Sequence, residues 1–476
     1  MMACLFVCAA AYGQLSCAES DVAPLTASEV LASSHRHFPE ILQRLAAQRA
    51  AQGKVMQADG AFDLVFSAEG FSRVSGFYDG TALQGEARQR IRPLGAELYT
   101  GYKLSDGTFP IYEDIAYTNS GGALKVGALF SLLRDRSIDQ QRFAEKDARL
   151  SVTEADLDLL LTKIGVQQRA IIAYWKWVTI GRQLRIYENL VGIAIERQDS
   201  LEKQVRSGAR AQIFLTENLQ NITRRQSLVT SAQRDLAVAA NSLSFFYRDE
   251  LGRSNIPDSR RLPPGVPMSQ VDDLTTSAAA ATSDAVLRRP EIALVRTAIQ
   301  REQQRIALSE NNLKPRVDLD IGVQTGLGSI AEGGPSRDST DTVIGIQFSV
   351  PLQRSKAKGK LMQSRAELEA KRQEQRLMVE QIQIEVRNIL RELYASRELL
   401  TLAAQEVALS EILRASELRR FQSGASDFFL VNLREETAAN ARIKVLQAEL
   451  DTRIARAEFD AATVNLDRLE IRDSTP

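Results

Sequence analysis

Residues 317–324 read Val-Asp-Leu-Asp-Ile-Gly-Val-Gln. Val317, Leu319, Ile321 and Val323 alternate with Asp318, Asp320, Gly322 and Gln324, so a strand here puts apolar side chains on one face and polar ones on the other. The same period returns nearby. Ile344, Ile346, Phe348 and Val350 alternate with Val343, Gly345, Gln347 and Ser349, and Leu124, Val126, Ala128, Phe130 and Leu132 form a third such set. About ten residues of this kind cross a bilayer as a tilted strand, apolar face to lipid and polar face to a lumen. A half-buried soluble sheet gives the same alternation, so the pattern alone leaves both open.

Around the strands lie unusually long helical stretches. Between Pro110 and Pro257, and again between Pro351 and Pro476, there is no proline to interrupt a helix. From Lys360 to Ser423 there is neither Gly nor Pro, enough for a helix of roughly 95 Å at about 1.5 Å per residue. Within it Ile382, Val386, Ile389, Leu393, Leu400, Ala403 and Val407, with Ser396 as one polar member, keep the spacing of a coiled-coil seam. On helix pattern alone, an isolated coiled-coil scaffold, cytoplasmic or periplasmic and without a pore, is the simpler reading.

The chain says nearly the same thing twice. Phe38-Pro39-Glu40-Ile41 returns as Arg289-Pro290-Glu291-Ile292, each opening a polar helix that runs into a strand. A second strand, an arginine-bearing turn (Arg134 to Arg136; Arg354) and a long helix follow in each half. The helices break at Ser207-Gly208-Ala209 and at Ser423-Gly424-Ala425, and another long helix follows. This divides the chain into a first repeat over 27–249, with strands near 61–74 and 112–132 and helices over 134–204 and 210–249. The second covers 284–470, with strands near 316–325 and 342–350 and helices over 354–421 and 427–468. Residues 250–283, with Pro257, Pro263, Pro264 and Pro267, form a linker or a girdle. The first half also inserts Ser72 to Gly122, of which Glu97 to Leu104 reads as a possible extra strand and the rest as an external loop or plug.

Four strands cannot close a barrel, and an open edge cannot face hydrocarbon. Long helices with an apolar seam also need neighbours. Both point to a homo-oligomer. Composition narrows the chemistry. Lys+Arg and Asp+Glu are both 60, which gives no basic footprint for nucleic acid. Cys4, Cys8 and Cys17 all fall in the first 17 residues, within or beside a weak export signal over 1–18 whose apolar run, Leu5 to Ala11, lacks a basic start. Cys17 is a candidate for lipid attachment, although Gln14-Leu15-Ser16 lacks the usual aliphatic residue. His35 and His37, the two histidines, flank Arg36 with no further soft ligand to complete a metal set. Trp175 and Trp177 read as packing residues. No catalytic, cofactor or metal residue is assigned, and the chain reads as a non-enzyme.

In this order and duplication, the Phe-Pro-Glu-Ile and Arg-Pro-Glu-Ile helix starts, the Leu132-Leu133-Arg134-Asp135-Arg136 and Val350-Pro351-Leu352 strand ends and the two Ser-Gly-Ala breaks resemble the TolC-like outer-membrane efflux and secretion proteins, from Ala27 to Leu466. The resemblance implies a mainly α protein with membrane β: a homotrimer with an α-barrel tunnel in the periplasm and a twelve-stranded barrel, four strands per protomer, in outer-membrane lipid. It implies an exit duct of a tripartite efflux pump or type I secretion system, joined by a periplasmic adaptor (membrane fusion) protein to an inner-membrane pump. Without it, the Ser-Gly-Ala breaks read equally as plain hairpin turns; with it, Ser207, Gly208, Ala209, Ser423, Gly424 and Ala425 become the adaptor-contacting tips. Some members ring the closed entrance with carboxylates six residues beyond the second-half glycine. Here that position is Leu430, and its repeat equivalent is Phe214. The candidate periplasmic gate is therefore apolar, or lined by Arg210 or Asp427.

Overall fold

Pro39 and Pro290 each occupy the first turn of a helix, where a missing N–H costs nothing, behind an extended Phe38 or Arg289. The computed structural model describes residues 23–93, 95–110, 116–264, 278–330 and 338–471. The export-signal reading, Cys17 and part of the linker reading (265–277) lie outside them. In the first half, α1 (Ala27–His37) and α2 (Pro39–Asp59) precede β1 (Val65–Ser72), β2 (Thr81–Ile91), β3 (Ala96–Asp106) and β4 (Ala123–Ser131), then α3 (Gln140–Arg206) and α4 (Ile213–Ser244). In the second, α5 (Ala278–Arg288) and α6 (Pro290–Asn311) precede β5 (Arg316–Gly326) and β6 (Thr340–Ser349), then α7 (Ser355–Gln422) and α8 (Phe428–Ala462). The element order is the same twice, except for one hairpin.

That hairpin corrects the strand count. Among the described residues, six strands form one antiparallel sheet in the order β1-β2-β3-β4-β5-β6, not four. β2 and β3 come from the stretch assigned chiefly to a loop, and the strand placed near 112–132 begins only at Ala123. The chain's two compact units also cut across the sequence halves. One comprises 1–37, 168–274 and 393–457; the other comprises 38–167, 275–392 and 458–476.

In the sheet-bearing unit, Ile41, Phe62, Phe143, Ile292 and Leu308 are buried among α2, α3 and α6. Arg301 on α6 clasps α3, its Nε donating to Asp147 (2.5 Å) and its Nη1 to Glu154 (2.6 Å). α3 starts at 140 rather than 134 because the preceding turn is held otherwise. Asp135 has φ 68°, and its N–H and carboxylate both bond the Asn311 amide. Arg142 binds the Asp135 and Arg136 carbonyls, while Asp139 accepts from the Arg142 backbone N–H at 2.8 Å as a helix cap. Arg354, at φ 54°, makes the matching turn before α7.

In the other unit, the described part of the connection after α4 grips α1. Arg261 Nη2 donates to Glu29 at 2.8 Å, the Tyr247 hydroxyl to Glu29 at 2.7 Å, and the Leu25 N–H to the Arg261 carbonyl at 2.9 Å. Trp177 is fully buried, and Arg453 lies 3.6 Å over the Trp175 ring. The α7 seam is buried at Leu393, Ser396 and Leu400 here, and at Ile382, Val386 and Leu390 in the sheet-bearing unit. Leu390 replaces Ile389 in the seam, and the Ser396 hydroxyl is satisfied by the Leu393 carbonyl at 3.1 Å.

Candidate functional site

The two helix breaks are built alike. The Ala209 N–H donates to the Gln204 carbonyl (2.9 Å) and the Gly208 N–H to that of Val205 (3.0 Å). Ala425 to Arg420 (2.8 Å) and Gly424 to Phe421 (3.1 Å) repeat the pair. Each is a Schellman cap, which needs a left-handed residue just past the helix end, and Gly208 and Gly424 have φ 75° and 78°. The Ser207 and Ser423 hydroxyls donate to the Gln204 and Arg420 carbonyls. All six tip residues are exposed.

Behind the tips the candidate gate residues divide. Phe428 is buried, with Phe214 and Phe421 ring centroids at 6.2 and 6.3 Å and the Arg197 guanidinium over its face at 5.6 Å. Arg210 stacks on Phe421 (4.5 Å) and Phe214 (5.3 Å) and donates to Gln204. Asp427 caps α8 by accepting from the Leu430 N–H at 2.8 Å. Leu430 is half-buried, and its neighbour Phe429 is 70% exposed. Phe214 and Arg210 thus share one aromatic cluster, to which Asp427 and Leu430 contribute no ring contact.

A buried charge cluster, not anticipated from the sequence, sits beside it. Glu435 on α8, 2% exposed at its side chain, takes Arg197 from α3 and Arg225 from α4, the latter at 3.0 Å. Arg225 also donates to the Leu190 carbonyl and Arg197 to the Asn432 amide, both at 2.8 Å. Asn218 on α4 donates to the Ala194 carbonyl at 2.9 Å. Two guanidiniums sharing one carboxylate tie three helices together, and Nη1 of each makes a further hydrogen bond to an oxygen nearby, the kind of pairing under which burying charge is tolerated. In sequence these residues look like any others on a charged helix, because nothing in their spacing marks them as buried.

The sheet has two chemically different faces. Val317, Leu319, Ile321 and Val323 align with Phe348, Ile346, Ile344 and Thr342 on β6 and with Phe130, Ala128 and Val126 on β4. This face is bare, with Ile346 73% and Phe66 72% exposed. On the other face, Arg88 bonds Glu97 at 3.0 Å and Glu86 at 2.5 Å, and the Tyr99 hydroxyl donates to Asp320 at 2.8 Å. The Lys125 ammonium stands 5.2 Å over the Tyr99 ring. Phe71, Phe109 and Tyr117 pack edge to face at the strand ends remote from α2, beside buried Ala82. Among the described residues, no group of three or more metal-capable side chains occurs, and no helix is long and apolar enough to cross a membrane.

The described residues thus combine an antiparallel sheet that has one apolar and one charged face with long helices whose breaks are capped alike. Residues 281–464, somewhat under half of the chain, match the family described as outer membrane efflux protein. The whole fold is similar to that of solved channels. The open state of the Neisseria gonorrhoeae MtrE outer membrane channel superposes with TM-score 0.63 at 14% identity, covering 92% of this chain and 88% of that one. The Vibrio cholerae outer membrane protein VceC gives 0.62 at 14%, covering 92% and 95%, and the Campylobacter jejuni CmeC outer membrane channel 0.61 at 12%, covering 98% of each. No curated protein matches the chain.

Proposed function

We propose that the chain is one protomer of a homotrimeric exit duct that sits in outer-membrane lipid, extends into the periplasm, and passively exports small molecules or polypeptides for a tripartite efflux pump or type I secretion system. One observation carries this reading: a single sheet, apolar and bare on one face and charged on the other, whose edge strands β1 and β6 each pair on one side only among the described residues. Lipid can cover the apolar face only if other copies pair the edges. Purified protein in a planar bilayer is expected to give discrete conductance steps; a protein that never raises conductance rules the duct out.

The exposed tips, Ser207-Gly208-Ala209 and Ser423-Gly424-Ala425, are the surfaces offered to a periplasmic adaptor, which in turn holds an inner-membrane pump. Ala209→Glu with Ala425→Glu is expected to abolish adaptor co-purification and leave bilayer conductance intact. Retained adaptor binding would move the contact elsewhere. At the periplasmic entrance, an apolar constriction that gates by dewetting fits Leu430 and the Phe214 cluster better than a charged ring. Arg210 is engaged by rings and Asp427 by a helix N-terminus. Leu430→Ala and Phe214→Ala are expected to raise closed-state leak, and unchanged leak removes the apolar gate.

A further inference from the structure

Among the described residues, the hairpin β2–β3 has no counterpart in the second half, where β6 is the next strand after β5. It is not an appendage. β2 pairs with β1 over eight residues and β3 with β4 over eight, so the hairpin stands between β1 and β4 and separates them. Its side chains alternate in phase with the rest of the sheet. Leu83, Ala87 and Leu98 fall on the apolar face, aligned respectively with Gly70, Phe66 and Ala128, while Glu86, Arg88 and Glu97 fall on the charged face. Leu83 is 58% and Leu98 47% exposed. A one-residue slip would have reversed both faces, so the match in phase specifies a common environment for all six strands.

Two further contacts fix the hairpin in place. Tyr99 lies over the glycine pair Gly127–Gly322 and reaches Asp320 two strands away. A Cβ at Gly127 would come within 2.4 Å of its ring, so the absence of side chains there is what lets the tyrosine cross. At the helix-side end, Arg92 in the β2–β3 turn pairs with Asp59 at 2.6 Å, stacks on Phe62 at 4.7 Å, and gives its carbonyl to Arg142. Both strands have 11 residues, as does β5, which is the length a tilted strand needs to cross hydrocarbon.

We infer that β2–β3 is a section of membrane wall and that the trimer closes an eighteen-stranded barrel, with lipid covering Leu83, Ala87 and Leu98. The inference rests on the trimeric duct reading. Barrel diameter grows roughly in proportion to strand number, so the exit is about 1.5 times as wide as a twelve-stranded one, with a cross-section about twofold larger.

The test uses the full chain in phospholipid vesicles, with nitroxide labels on Leu83→Cys, Ala87→Cys and Leu98→Cys. Ile346→Cys on β6 is the lipid reference and Lys125→Cys on β4 the lumen reference; the unsubstituted protein supplies the background from Cys4, Cys8 and Cys17. The three hairpin labels should collide with oxygen and not with a water-soluble nickel complex, as Ile346→Cys does. Nickel access at the hairpin with Ile346→Cys protected overturns the inference and leaves the duct standing. Nickel access at Ile346→Cys removes the membrane wall altogether, and both readings fall. Ala87→Cys changes least in volume and keeps the test available if a leucine variant misfolds. Electron cryomicroscopy of the unsubstituted protein gives an independent count: eighteen strands are expected, and twelve refutes the inference.

Discussion

Gly208 and Gly424 show how little freedom the tips allow. Each is left-handed, and an added Cβ at either meets nothing within 4 Å. Gly208→Ala and Gly424→Ala therefore carry a backbone cost without a clash, about 1–2 kcal/mol each, visible as a lowered unfolding midpoint. Asn at the same positions should cost less, because its side chain tolerates that conformation. Glu435 is the opposite case, with its environment crowded by charge. Glu435→Ala strands Arg197 and Arg225 without their carboxylate and is expected to destabilise by about 3–5 kcal/mol, whereas replacing all three residues by apolar ones of similar volume should cost far less. Denaturant titration of the single and triple variants checks this, and equal losses would show that the cluster acts by shape rather than charge. The tips were legible because glycine at a helix break has a conformational cause. The cluster was not, because burial depends on which helices meet.

At the scale of elements, the hairpin β2–β3 marks where sequence reading gives out. The strands β4, β5 and β6 advertise themselves with Val, Ile and Phe at alternate positions, but β2 puts Gly85 and Ala87 on its apolar face, and small residues leave a weak alternation. Glu97 to Leu104 stood out because Tyr99 and Tyr102 sharpen it. Pro93 and Gly95 were the turn signal that could have supplied its partner. The connection after α4 reads from sequence as either linker or girdle, and in its described part the Arg261–Glu29 ion pair fastens it to α1. Burial pushes the Glu29 carboxyl upward, but the hydrogen bonds from Arg261 and Tyr247, with the Arg261 charge, outweigh it and hold Glu29 below its ordinary value. A depressed carboxylate adds stability that is whole above the unfolded value, near 4.5, and lost as pH falls through the folded one. The unfolding midpoint of Glu29→Gln should therefore lie below that of the parent at pH 7, and the gap should close toward pH 3. A gap that is independent of pH would mean the side chain contributes by packing alone.

At the scale of the whole molecule, the decisive property is that one copy leaves too much undone. Among the described residues, Phe66, Ile344, Ile346 and Phe348 form an exposed apolar surface, and the edge strands β1 and β6 pair along one side only. Water tolerates neither arrangement well, since contiguous bare apolar patches drive association and open edges template pairing. Lipid tolerates the first but not the second. The state that satisfies both is a closed ring of copies in a bilayer or detergent belt. Membrane fractionation followed by sedimentation in density-matched detergent should give three chains per particle and no soluble pool. Charging the apolar face tests the proposed duct directly: in that duct Ile346→Arg would place a cation against hydrocarbon, at an expected cost of about 2–4 kcal/mol near the midplane, less toward the interfaces. The same charge on the polar face, as in Gln347→Arg, faces water and should leave assembly intact. If both substitutions are borne equally, the sheet does not sit in lipid, and the asymmetry of its two faces needs another cause.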